Sequence, residues 1–316
     1  MSEILNDYID YLERKRKTER TIINHRTSVN RLVKFLEDSE GVQTGQAGMN
    51  PSSSGYQNNH TNSESEVLVG VTEIDAKKFQ DNLKAKYKAS TFNQSLMHVR
   101  SFYNYLVEQG KVPDNPFKFQ EFVTEQRSTP KWLTRNEQNH LIRTIRKHGN
   151  IKELAMVTTL LHTGLRIQEI CDLKQEHVQL TERTGKVFVQ QGKMDRQRTI
   201  KLNKSARETL KTYLEQFQPT GIYLFESQRS PQMTTRSVQH IIKKYKKLTG
   251  IAHLTAHALR HTFGHELVNN KVPFDVVAQL MGHMKEDGSP NIEMTMKYTQ
   301  PGQEDMDNAV DSLSWI

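Results

Sequence analysis

The stretch 163–173, TGLRIQEICDL, is where the fold becomes readable. Gly164 permits a tight turn into a helix whose apolar face is Ile167 and Ile170. Arg166 and Glu169, three apart, fall on neighbouring positions of that helix. A guanidinium held by a carboxylate is a fixed fork able to bind phosphate oxygens, although the same spacing makes an ordinary surface ion pair. Cys171, the single cysteine, cannot form an intramolecular disulfide and excludes a multi-cysteine metal cluster. On this apolar run it reads as a buried thiol rather than a nucleophile.

Four further clusters lie downstream. Gly192-Lys193 sits at the tip of a predicted β-turn followed by Arg196 and Arg198, so its lysine can reach outward while the strands hold position. In HALRHTF (257–263), His257, Arg260 and His261 share one face of a helix. His257, His261 and His265, four apart, also have a zinc-ligand spacing, but Arg260 on that face repels a cation and no HExxH glutamate accompanies them. QLMGH (279–283) ends a helix at Gly282 and starts a loop with His283, and TMKYT (295–299) carries Tyr298. A turn lysine, a glycine-histidine helix end or a C-terminal tyrosine is unremarkable alone; their order is not.

That order, Arg…Lys…His-x-x-Arg…Gly-His…Tyr over about 134–300, resembles the catalytic domain of the tyrosine recombinases: phage integrases, Xer resolvases and transposon-borne resolvases. The resemblance implies roles. Arg166 and Arg260 would bind the non-bridging oxygens of a scissile phosphate. Lys193 would protonate the leaving 5′ oxygen, His257 would assist proton transfer, and His283 would hydrogen-bond the phosphate. Tyr298 would be the nucleophile that forms a 3′-phosphotyrosine, and Glu169 would orient the cations. It implies no metal or cofactor, double-stranded DNA with a specific recombination site as substrate, and a homo-oligomer, a dimer on each site and a tetramer in synapsis. DNA contacts are expected from Arg196 and Arg198, and from helices around 91–106 and 234–248, the latter carrying Arg236, Gln239 and Lys243. The implied work is integration or resolution of a mobile element, or chromosome-dimer resolution. Alternatives are a tyrosine-based topoisomerase, a non-catalytic DNA-binding protein and, more distantly, a zinc hydrolase. One departure stands out: 284–290 reads as extra material between MGH and NIEMTMKYT, so the approach of Tyr298 is left open.

The rest of the chain fits two mainly α domains with a small antiparallel sheet. Residues 1–120 carry helical apolar spacing (Ile4, Tyr8, Tyr11, Leu12; Ile22 to Leu36; Phe79 and Leu83; Phe92 to Leu106) around the basic turn 14–17. By resemblance they form a core-binding domain that clamps the duplex. Residues 40–66, rich in Gly, Ser, Asn and Gln, are expected as a flexible insertion. VPDNPF (112–117) blocks helix continuation, and 121–131 reads as linker. From 132 to 316, helices are expected at 135–147, 151–162, 166–174, 205–216, 235–248, 257–269 and 273–282, with strands around Val187/Val189 and Ile200/Leu202. The acidic tail 303–316, with Met306, Val310, Leu313 and Trp315, is expected to dock onto its own domain or a neighbour, and the resemblance implies the adjacent protomer.

The 316 residues carry a formal charge of +8 and a pI near 9.3, favouring a polyanionic partner. No signal-like or membrane-length apolar run occurs, so a soluble, cytoplasmic protein is expected.

Overall fold

The computed structural model describes residues 3–43, 64–125, 131–191, 196–227, 230–285 and 287–298, with 306, 310, 311 and 313 of the tail. Most of the expected insertion 40–66, about half of the linker, Lys193 and most of the tail lie outside the described residues. The chain divides into two compact units, Met1–Arg127 and Ser128–Ile316.

The first unit is built from α1 (Glu3–Arg14), α2 (Glu19–Gln43), α3 (Glu64–Val69), α4 (Glu73–Lys86) and α5 (Ala89–Glu108). Its apolar core gathers Leu5, Tyr8, Leu32, Leu68, Phe79, Phe92, Phe102 and Tyr103 around α5. On α1 the buried stripe is Leu5, Tyr8, Ile9 and Leu12, a quarter-turn from the expected Ile4 and Tyr11. Thr18 accepts from the Thr21 amide and opens α2, as its short polar side chain allows. Two boundaries differ from expectation. α2 and α3 both extend into 40–66. Residues 121–125 belong to the unit rather than to a linker, because Gln80 donates to the Glu121 carbonyl and Asn93 brackets Val123, bonding both its N–H and its carbonyl. α5 itself is largely enclosed. Its exposed positions are Ser90, Gln94, Met97, Asn104, Val107 and Glu108.

The second unit contains α6 (Arg135–His148), α7 (Ile151–Thr163), α8 (Ile167–Cys171), β1 (Val178–Leu180), β2 (Gly185–Gln191), β3 (Arg196–Lys201), α9 (Lys204–Phe217), α10 (Thr235–Thr249), α11 (Ala256–Asn269), α12 (Phe274–Met281) and α13 (Ile292–Thr295), followed by a 3₁₀ turn, Met296–Tyr298. Thr134 and Glu137 form the expected reciprocal cap of α6. The sheet is antiparallel in the order β1-β2-β3, with Val189 opposite Arg198 and Val187 opposite Ile200. α8 is shorter than expected, since Asp172 already caps it. The core runs through Leu141, Ile145, Leu160, Val187, Ile200, Leu210, Tyr245 and Leu259. Cys171 belongs to it, and burial, then Asp172, push its thiol up to about 11, as a structural cysteine should behave. Among the described residues no helix is long and apolar enough to cross a membrane.

Candidate active site

The site is assembled where α7, α8, β3, α11 and α12 end or pass. Gly164 leaves α7 in the left-handed region, φ +62°, where a Cβ would meet the Phe263 ring at 2.3 Å. Only glycine makes this turn without displacing α11. Two residues on, Arg166 opens α8. Its amide donates to Glu169 Oε2 at 2.7 Å and its Nη1 to Glu169 Oε1 at 2.9 Å. The expected pair therefore forms, and it closes the helix N-terminus at the same time.

Glu169 holds more than Arg166. Arg198, from β3, donates Nη1 and Nη2 to its two oxygens at 3.0 and 2.7 Å, and Arg260 Nη1 stands 4.0 Å from Oε2. Burial alone would raise this carboxyl, but Arg198 first and then Arg166 bring it down to about 2. The far side of the cluster is the C-terminus of α12. Leu280 O accepts from Arg198 Nε at 3.0 Å, Met281 O from Arg260 Nη2, and Gly282 O from Arg166 Nη2 at 3.0 Å. Arg198 was expected to touch DNA; instead its side chain is only 10 % exposed and points inward. The reason is the strand period: it shares a face with buried Ile200 and Leu202.

Arg260, 4 % exposed, also donates to Gly164 O and to His283 Nε2, the latter at 3.1 Å. His283 Nδ1 then donates to Thr295 Oγ1 at 3.2 Å, and that hydroxyl donates to Asn291 O. The chain of donors fixes His283 as a neutral tautomer. Burial, then the charges of Arg260 and Arg166, lower it to about 3. Its ring stacks on Tyr298, centroids 5.7 Å apart and planes 7° apart. His261 approaches from the other flank at 5.2 Å and is T-shaped against His257 at 4.1 Å. His257 is held below its ordinary value by burial and then by Arg260, Lys297 and Arg166. Burial raises the Tyr298 phenol, and the charge of Arg260 works against that rise. Arg166, His257, Arg260, His283, Lys297 and Tyr298 line one cleft of about 310 Å³.

Of the expected site residues, Arg166, Glu169, His257, Arg260, His283 and Tyr298 therefore meet, while Lys193 lies outside the described residues. Arg236, Gln239 and Lys243 form an exposed face of α10, opposite Val238 and Ile242, and reach none of this; the Arg196 side chain is not described. The extra segment 284–290 leaves the site intact. It is pinched at its base by pairing of Met284 with Pro290 and by the Asn291 amide on the His283 carbonyl at 2.7 Å. Two participants escaped the sequence reading, Thr295 and Gly264 beneath Tyr298; His261, placed on the face of His257 and Arg260 but given no role there, has a buried Nδ1 with no hydrogen-bond partner among the described residues. Among the described residues no three His, Cys, Asp or Glu side chains are grouped so as to hold a metal ion.

The sequence profile of the phage integrase family matches residues 131–304. Tyrosine recombinase XerC of Bacillus subtilis (strain 168) is 28% identical over 229 residues, spanning 69% of this chain and 72% of its own. Tyrosine recombinase XerA of Pyrococcus furiosus is 27% identical over 321 residues, spanning 100% of this chain and 95% of its own. Among solved structures, the Tn1549 transposon integrase in complex with circular intermediate DNA shares the fold, with a TM-score of 0.64 and 19% identity across 99% of this chain and 98% of that one. A profile that spans more than half of the sequence, on a fold whose cations close around one tyrosine, settles its kinship: the chain belongs to the phage integrase family of tyrosine recombinases.

Proposed function

We propose that the chain cuts and rejoins double-stranded DNA at a specific site through Tyr298, without a metal ion. The phenol oxygen attacks the scissile phosphorus, the bond to the 5′ oxygen breaks, and a 3′-phosphotyrosine holds the strand. Attack by a 5′-hydroxyl from the exchanging strand reverses the step, conserving the bond's free energy without ATP. The reading rests on one observation, the convergence of Arg166, Arg260, His257 and His283 on a single buried tyrosine.

Each group suits its part. Arg166 and Arg260 are preorganised donors for the charge that builds on the pentacoordinate phosphorus. His283, a neutral donor-acceptor tied to Arg260, adds a hydrogen bond there. The Tyr298 phenol, raised by burial, enters protonated and yields its proton during attack. His257, neutral at physiological pH, is the base at hand. Lys193 is the general acid for the leaving oxygen. Around this centre, Met1–Arg127 grips the same duplex, and Arg236, Gln239 and Lys243 contact it from α10. The enzyme works in the cytoplasm as a dimer on each site and a tetramer in synapsis, on a mobile element or a chromosome dimer.

The test is covalent capture. Wild-type chain, incubated with a library of nicked random-sequence duplexes in chelator, is expected to retain DNA through denaturation, with the adduct mapping to Tyr298. Tyr298→Phe should bind the same duplexes and capture none. Capture that survives in Tyr298→Phe, or that disappears with chelator in the wild type, would count decisively against the reading.

A further inference from the structure

Three consecutive carbonyls at the end of α12 each accept from a different arginine: Leu280 from Arg198, Met281 from Arg260 and Gly282 from Arg166. A helix C-terminus presents unsatisfied carbonyls and a partial negative charge, so it is a natural seat for cations. Three guanidiniums in so small a space also repel one another. Among the described residues Glu169 is the one carboxylate within salt-bridge reach of any of them. Where that single negative charge lies decides which arginine stays available to a substrate.

The three are not equivalent. Arg166 and Arg260 line the cleft, whereas Arg198 does not. Arg198 engages both oxygens of Glu169 with its fork and secures its own Nε on Leu280 O. Arg260 Nη1, at 4.0 Å from Oε2, stands just outside hydrogen-bond distance. A buried carboxylate released from Arg198 has a short rotation to make and a large Coulombic reason to make it, since burial lowers the local dielectric. It would close on Arg260 and neutralise the guanidinium that the phosphate needs.

We infer that Arg198 is a positioning residue: by occupying both oxygens of Glu169 it keeps that carboxylate off Arg260 and leaves Arg260 free for the scissile phosphate. The inference rests on the recombinase reading above. It assigns Arg198 no contact with DNA, and it makes Glu169 harmful when its partner is missing.

The experiment uses the full chain and the duplex that wild type captures from the random library, nicked to trap the covalent product. Single-turnover capture by Arg198→Ala is expected to fall about 100-fold, the scale on which misplacing a reacting group acts. Affinity for the intact duplex, measured in a Tyr298→Phe background, should change by less than about threefold, because few phosphate contacts are lost. The double variant Arg198→Ala/Glu169→Gln is the decisive arm. With the carboxylate gone nothing captures Arg260, and the double should react about tenfold faster than Arg198→Ala alone. A purely structural role for Arg198 gives a double that is equal or slower. Should Arg198→Ala fail to fold, Arg198→Lys and Arg198→Lys/Glu169→Gln carry the same comparison, since lysine keeps the charge but lacks the fork. Capture by Arg198→Ala within threefold of wild type, or a double no faster than its single, overturns the inference while leaving the recombinase reading in place. A wild-type chain that captures no duplex overturns both.

Discussion

Gly264 faces the Tyr298 ring from the middle of α11, and a methyl group built there meets ring carbons at 2.9 and 3.0 Å. The ring is bounded on its other sides by the stacked His283 and by His261, so it cannot yield by sliding flat. Gly264→Ala is therefore expected to tilt the phenol by several tenths of an ångström and to slow covalent capture by about ten- to a hundredfold. Thermal stability should stay within about 1 kcal/mol, because alanine's better helix propensity offsets the crowding. Capture at the wild-type rate with unchanged melting would show that the ring has room this packing denies it. A signal for Gly264 exists in the sequence: a glycine inside a helical pattern costs stability and usually has a packing reason. Arg198 was legible too. Strand alternation sets it on the face of Ile200 and Leu202, and reading it as a surface cation gave its place in a basic turn more weight than its phase. Thr295 had no comparable signal, since its part depends on where α13 meets the end of α12, and the helical period put His261 beside His257 and Arg260 without showing that it would reach Tyr298.

Whole elements were more legible than their ends. Apolar spacing gave the helices of the second unit to within a residue or two, apart from α8 and the four-residue α13, because each of the others presents one long stripe to the core. β1, three residues long, is too short for any period to register. The first unit hides something that spacing cannot report, a polar seam between α1, α2 and α5. Tyr8 Oη and His25 Nδ1 are 2.8 Å apart, Ser28 Oγ and His98 Nδ1 3.0 Å, and the two imidazoles lie 4.1 Å apart. Both histidines fall below their ordinary value, His25 to about 4 through burial, His98 and Lys17, and His98 through burial and Arg31. With folded values below the unfolded 6.5, the unfolded chain takes up protons first, so stability is intact above about pH 6.5 and is lost as pH falls toward 4. Denaturant unfolding of Met1–Arg127 should show this as a slope of up to about 1.4 kcal/mol per pH unit for each histidine. Level stability from about pH 7 to 5 would rule the seam out as the first unit's acid-sensitive part.

At the scale of the molecule, charge is divided unevenly. Residues 1–127 hold 17 basic and 17 acidic side chains, and residues 128–316 hold 27 against 19, so the entire formal +8 belongs to the unit with the cleft. Each unit has its own apolar core, which makes the two separable objects for measurement. The basic turn at 14–17 is the one strong positive run in the first unit. Asp10 and Glu13 on the last turns of α1 lie within about a Debye length of it and damp its field. Binding that neutralises phosphates releases counterions and falls steeply with salt; binding by shape and base edges does not. Deleting residues 1–127 from the Tyr298→Phe chain should therefore weaken binding to the captured duplex by a factor that varies little with salt. The fragment 128–316 should keep roughly three quarters of the full chain's slope of log affinity against log salt. A slope cut by half or more would mean that the first unit grips phosphates after all, with its cations gathered on one face while its acids lie on another, and that its neutral sum conceals a second electrostatic surface.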